Sequence, residues 1–182
     1  MNRAYVFAIF MALLWMGVKY LSWVMGIFTF GSSGPYVLVN MFLLTVTVAI
    51  GLYLLKRQEL NPGNLLMDIK KGVSCGMIYT LLVSLFIYMF YAKIHPEYNQ
   101  YQLRKSFELL RKPENIQKIR AKNSDLKSKS DQEIRGLLRQ QDVLIYSANF
   151  TFVITLLGLT LYSIFNSIFI ALIFRRVLFR AR

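Results

Sequence analysis

Four stretches of this chain carry no charged residue: Ala4 to Val18, Leu21 to Leu55, Gly72 to Ala92 and Val143 to Phe174. A hydrocarbon core ~30 Å thick needs about 20 apolar residues in helical form. The last three stretches reach that length, and the first reaches it if Lys19 is carried inside. Backbone N–H and C=O groups find no water in lipid, so spans of this kind are helices that satisfy their own hydrogen bonds. Between Ala4 and Leu55 the turn residues Gly31-Ser-Ser-Gly-Pro35 mark where the chain reverses. The pattern therefore predicts four spanning helices, at about 4–30, 36–55, 72–92 and 146–174, within one membrane domain of 1–182.

Composition agrees: 55% of the 182 residues are hydrophobic, more than a soluble domain normally carries. A cleaved signal peptide is the competing reading of the N-terminus. Its apolar region would be about 7–15 residues, shorter than the run here, and no clean small-x-small cleavage site follows. Cys75 is the single cysteine and lies inside the third run, where it reads as a small packing residue.

Basic residues set the expected orientation. Arg3 flanks the first helix, Lys56, Arg57, Lys70 and Lys71 flank the connection between the second and third, and Arg175, Arg176, Arg180 and Arg182 follow the fourth. The Gly31–Pro35 turn is uncharged. Both termini are thus expected in the cytoplasm of a bacterium with this multi-pass protein in its inner membrane, and residues 93–142 in the periplasm.

Segment 93–142 is the one sizeable piece expected in water. Leu103, Phe107 and Leu110 recur at helical spacing after Pro96, Pro113 opens a new turn, and Ser130-Asp-Gln-Glu133 matches a capping box ahead of Ile134, Leu137 and Leu138. With the Lys/Ser/Asn-rich stretch 121–129 between, this is an extramembrane helical hairpin whose apolar stripe is expected to be too thin for a core of its own. Twelve Lys and Arg against seven Asp and Glu give it a balance of +5. The charges alternate in sign and no aromatic stacking pattern interleaves them, so the segment reads as a solvated helix face, and anionic lipid headgroups are a simpler partner for it than nucleic acid.

Catalytic chemistry finds no constellation. His95 is the only histidine, with Glu97 as its one nearby carboxylate, and no ligand spacing, triad or Gly-rich phosphate loop is present. No catalytic, cofactor-binding or metal residues are assigned, and the spans as drawn hold no Asp or Glu of the kind proton-coupled carriers use.

What stands out instead is a seam. Gly72, Gly76, Thr80 and Ser84 fall four residues apart on one helix face, as small residues do where another helix comes close. An antiparallel fourth helix brings Ser163, Asn166 and Ser167 to the same half of the bilayer, where Asn166 is expected to hydrogen-bond across the interface. Lys19 is the one charge within a span, ~24 Å along its helix from Arg3 by the rise per residue. Either its stem carries the charge to the nearby interface marked by Tyr20 and Trp23, or it holds an anionic headgroup or a partner's carboxylate.

The block "LLKRQELNPGNLLMDIKKGVSCGMIYTLLVSLFIYMFYAKIHPEYNQYQLRK", the charged insertion behind it and the ending "SIFIALIFRR", with a Gly-rich start to the third helix, Tyr88 and Tyr91 at its end and Pro96 shortly after, resemble a family of small four-helix inner-membrane proteins of the Bacteroidetes catalogued as a domain of unknown function. The resemblance covers nearly the whole chain and implies no catalytic or binding residues to carry over. The function expected from the residues is that of a non-enzymatic accessory, scaffold or assembly protein, with a membrane-protein partner or further copies of itself. The alternative is a small lipid-handling or transport component that uses Lys19.

Overall fold

The computed structural model describes residues 2–27, 33–57 and 64–177, without the side chain of Ser33. Every regular element among them is helical: α1 Arg3–Val24, α2 Ser33–Arg57, α3 Leu65–Met89, α4 Pro96–Arg111, α5 Pro113–Lys122, α6 Asp131–Ile145 and α7 Ala148–Val177. Four helices are long and apolar enough to cross a membrane, Arg3–Val24, Gly34–Arg57, Leu65–Ile94 and Ala148–Val177. Of the expected turn, Gly31 and Ser32 lie outside the described residues, while Gly34 and Pro35 already belong to the first turn of α2. Arg180 and Arg182 of the basic flank also lie outside them.

The helix ends follow local chemistry. Asn2 Oδ1 accepts from the Ala4 N–H at 3.1 Å and Asn64 Oδ1 from the Met67 N–H at 2.8 Å, each covering an orphan donor of a first turn. Because Asn64 caps it, α3 begins at Leu65, ahead of Gly72 where the uncharged run starts, and Asp68, Lys70 and Lys71 lie on the helix. Gly26 ends α1 with φ +70°, a left-handed conformation natural to glycine at this position.

The helices sort into two compact units, Met1–Phe86 with Val153–Arg182, and Ile87–Phe152. In the first, three helices each turn one four-residue series inward: Asn40, Leu44, Val48, Leu52 and Lys56 on α2; Asp68, Gly72, Gly76, Thr80 and Ser84 on α3; Leu159, Ser163, Ser167, Ala171 and Arg175 on α7. All but Arg175 are buried outright. On α1 the inward face is Ala4, Ala8 and Ala12. Side chains this small let backbones approach closely, which is how helices gain contact energy in lipid. The outward faces are apolar, with Phe42 65% and Phe169 63% exposed, the reverse of a soluble bundle.

The second unit has its own small core. Leu110 of α4, Ile116 of α5 and Ile134 of α6 are buried together, bordered by Phe107, Ile119, Leu126 and Leu138. The expectation that the stripe was too thin for a core is thereby corrected: no single helix supplies enough apolar surface, but three meeting at one point do. Polar ties surround it. Ser106 Oγ donates to Asp142 Oδ2 at 2.6 Å, Arg120 pairs with Asp131, and the Arg139 guanidinium lies 5.5 Å from the Phe107 ring centre. The Ser130 capping box is formed, with Glu133 Oε2 accepting from the Ser130 N–H at 2.7 Å. A π-helical turn, Phe90–Ile94, follows α3 and closes with the His95 N–H on the Phe90 carbonyl at 2.7 Å.

Candidate functional site

The most polar point of the first unit is Asp68, 2% exposed. Its two carboxylate oxygens are divided between two helices: Lys56 Nζ donates to Oδ1 at 2.7 Å and Arg175 Nε to Oδ2 at 2.7 Å. Lys56 is as deeply buried as its partner, and Arg175 is about one third exposed. One carboxylate thus joins the C-terminal ends of α2 and α7 to the first turn of α3. Charge-assisted hydrogen bonds of this length in a low-dielectric surrounding are strong and directional, and removing one partner costs the others a buried counter-charge. The expectation that no Asp or Glu lies within the spans is corrected here, since the third candidate span begins at Leu65 and contains Asp68.

Above this node the seam closes. A Cβ placed on Gly72 would come within 2.9 Å of Ser167 Oγ and 3.3 Å of Val48 Cγ1, and one placed on Gly76 would run into Ser163 Oγ. At either position an added methyl group would have to displace a serine of α7, and α2 and α7 both meet α3 there. Gly51 of α2 is a further close approach, where an added Cβ would stand 2.7 Å from Cys75 Sγ. Ser167 Oγ donates to the Ser163 carbonyl at 2.7 Å. Thr80, Ser84 and Ser163 are fully buried with hydroxyls that make no hydrogen bond, and the Asn166 amide nitrogen likewise has none. Asn166 was expected to bond across the interface through that amide; its Nδ2 does not, and the contact at this level is made by the smaller Ser163 and Ser167.

Other polar groups of the spans are used between helices. Tyr79 OH donates to Asn40 Oδ1 at 2.7 Å, joining α3 to α2, and Thr45 Oγ1 and Tyr162 OH are 3.0 Å apart, joining α2 to α7. Lys19 is 3% exposed. Its ammonium stands 5.8 Å from the Trp15 ring centre and 5.4 Å from that of Tyr36, whose carbonyl accepts from Trp15 Nε1 at 3.4 Å. Among the described residues these two aromatic faces offer the cation electrostatic attraction. Lys19 is therefore enclosed by protein between α1 and α2.

Asp68, Lys56 and Arg175 escaped the reading of the sequence as a site, although a signal was present. Asp68 stands one four-residue step before Gly72, on the same stripe, and Arg175 stands two steps beyond Ser167 on the matching stripe of α7. His95 lies in the second unit, its Nδ1 3.2 Å from Glu97 Oε2 and its ring edge-on to Phe90. Among the described residues no three His, Cys, Asp or Glu side chains gather where they could hold a metal ion.

Comparison with known proteins adds one assignment. No curated protein and no solved structure matches the chain. A family model does, over residues 5–176, and on that match the chain belongs to the family described as protein of unknown function DUF4199.

Proposed function

We propose that this protein is a non-enzymatic accessory, scaffold or assembly component of the bacterial inner membrane. In this reading both termini are cytoplasmic, and residues 93–142 form a helical-hairpin insertion on the periplasmic side. Its partners are the bilayer, through anionic headgroups, and a second membrane protein or another copy of itself. The observation that carries the reading is where the intramembrane polar groups go: Lys56 and Arg175 to Asp68, Tyr79 to Asn40, Tyr162 to Thr45. A carrier needs such groups to converge on a substrate path at mid-membrane. Here the groups that do bond tie helices to one another, which supports a rigid body over a moving one.

A second reading, a lipid-handling component with an anion at Lys19, is favoured by the withdrawal of that ammonium from the lipid-facing surface. Native mass spectrometry of protein purified from its own membrane separates the two. The scaffold reading expects a second protein or a second copy at fixed stoichiometry, unchanged in Lys19→Met. Bare monomer that exchanges lipid or solute across proteoliposomes, and stops doing so in Lys19→Met, would replace it with the alternative.

A further inference from the structure

The Asp68 node has more positive charge around it than it can neutralise. Lys56 and Arg57 end α2, Lys70 and Lys71 follow Asp68 on α3, and Arg175 and Arg176 end α7. Because Asp68 pairs with both Lys56 and Arg175, these three pairs of cations are drawn to one end of the unit. Six cations stand against one carboxylate, a balance of +5 among the described residues. Counting Glu59 of the α2–α3 connection, which lies outside them, still leaves +4.

The two members of each pair have different surroundings. Lys56 is buried and Arg175 is turned to Asp68, whereas Arg57, Lys70 and Arg176 are exposed. Beside these exposed cations stand large exposed apolar side chains: Leu66 and Met67 on α3, Ile173 and Val177 on α7, and Tyr53 one turn before Arg57 on α2. Apolar surface and cation at the same helical level form the pattern that meets acyl chain and phosphate together. A soluble anion has use for the charges but none for the apolar collar, and a nucleic acid could not reach the level of the acyl chains.

We infer that the Asp68 end of the bundle is a binding collar for anionic phospholipids, in which Arg57, Lys70 and Arg176 hold headgroup phosphates while Asp68 retains Lys56 and Arg175 for the fold. This rests on the membrane reading above and adds to it a ligand class and its contact residues. Each exposed cation near a headgroup layer is expected to raise the preference for an anionic over a zwitterionic lipid about fivefold.

The test compares the whole protein with the Arg57→Gln/Lys70→Gln/Arg176→Gln variant and with each single variant, in nanodiscs of mixed phosphatidylglycerol and phosphatidylcholine. Retained lipid is read by native mass spectrometry. Wild type should keep phosphatidylglycerol selectively, each single variant should lose part of that selectivity, and the triple variant nearly all of it, with thermal stability in pure phosphatidylcholine unchanged. Equal retention of both lipids by wild type, or undiminished selectivity in the triple variant, would overturn the collar. Displacement of the lipid by millimolar sn-glycerol 3-phosphate would also overturn it, in favour of a soluble-phosphate site. Extraction of native membranes with alkaline carbonate separates the two levels of failure: a chain released there overturns the membrane reading itself, whereas one that stays without selectivity overturns the collar alone.

Discussion

Asp68 and Arg175 are 107 positions apart in the chain and 2.7 Å apart in the structure. Their contact fixes where the last spanning helix stops against the first turn of α3, with Lys56 completing the node from α2. Asp68→Asn should therefore cost about 3–5 kcal/mol, because it takes the charge of a buried carboxylate away from two cations, one of them buried. The lower end of that range is expected, since the partly exposed Arg175 can turn toward headgroups. Thermal or denaturant unfolding of the detergent-solubilised protein checks this. The triple change Lys56→Met/Asp68→Leu/Arg175→Met, which removes all three charges together, should recover most of the loss. A triple variant as unstable as Asp68→Asn would show that the charges themselves are not what matters.

The seam makes a steric prediction. Gly76→Ala adds a methyl group where Ser163 Oγ already lies, and overpacking of this kind costs about 1–3 kcal/mol. Gly76→Leu should cost more, and Leu81→Ala, on the exposed face of the same helix, much less. Ser163→Gly should return part of the stability lost in Gly76→Ala, a coupling that unfolding of the four-member cycle would measure. Additive effects would mean that Gly76 and Ser163 do not bear on one another.

The four spans and the four-residue spacing of Gly72, Gly76, Thr80 and Ser84 were legible because apolar length and period are local properties. Asp68 was hidden by its neighbours. Lys70 and Lys71 read as a water-facing flank, and nothing local distinguishes a carboxylate that turns inward from one that turns out. The surroundings of Lys19 were illegible for a related reason, since one aromatic face beside it, Tyr36, belongs to the next helix. The core of Leu110, Ile116 and Ile134 needed three helices at once, and each stripe alone looked inadequate.

Acid should loosen the start of α6. The Ser130 N–H, and after it the Ser130 hydroxyl and the Lys129 charge, hold the Glu133 carboxyl below the usual carboxylate range. A group depressed in the folded state contributes its stability above the unfolded carboxylate value of about 4.3 and loses it as the pH falls through the folded value. Protection factors at the amides of Glu133 and Ile134, each referred to the intrinsic exchange rate at the same pH, should fall on acidification over that window. Glu133→Gln, which can still reach the Ser130 N–H, should abolish the pH dependence while leaving the helix in place. Wild-type protection factors indifferent to pH there would remove the carboxylate from the account of the cap.

The proposed orientation is open to labelling. In a Cys75→Ser background, a single cysteine at Asn123 or Ser128, both in the connection between α5 and α6, should react with an impermeant maleimide in intact spheroplasts. A cysteine at Val177 should react only after lysis. The reverse pattern would turn the molecule over.

The node at Asp68 also has a history within each molecule. Lys56 and Asp68 are 12 residues apart, so they leave the ribosome almost together, and the α2–α3 pair can enter the bilayer with its one carboxylate already neutralised. The second oxygen waits for Arg175, which emerges only after the whole of α4 to α6 has been made. A nascent chain arrested before that point carries a half-satisfied acid at its membrane edge, and the arrival of α7 is registered there, where among the described residues it meets α2 and α3 through charge.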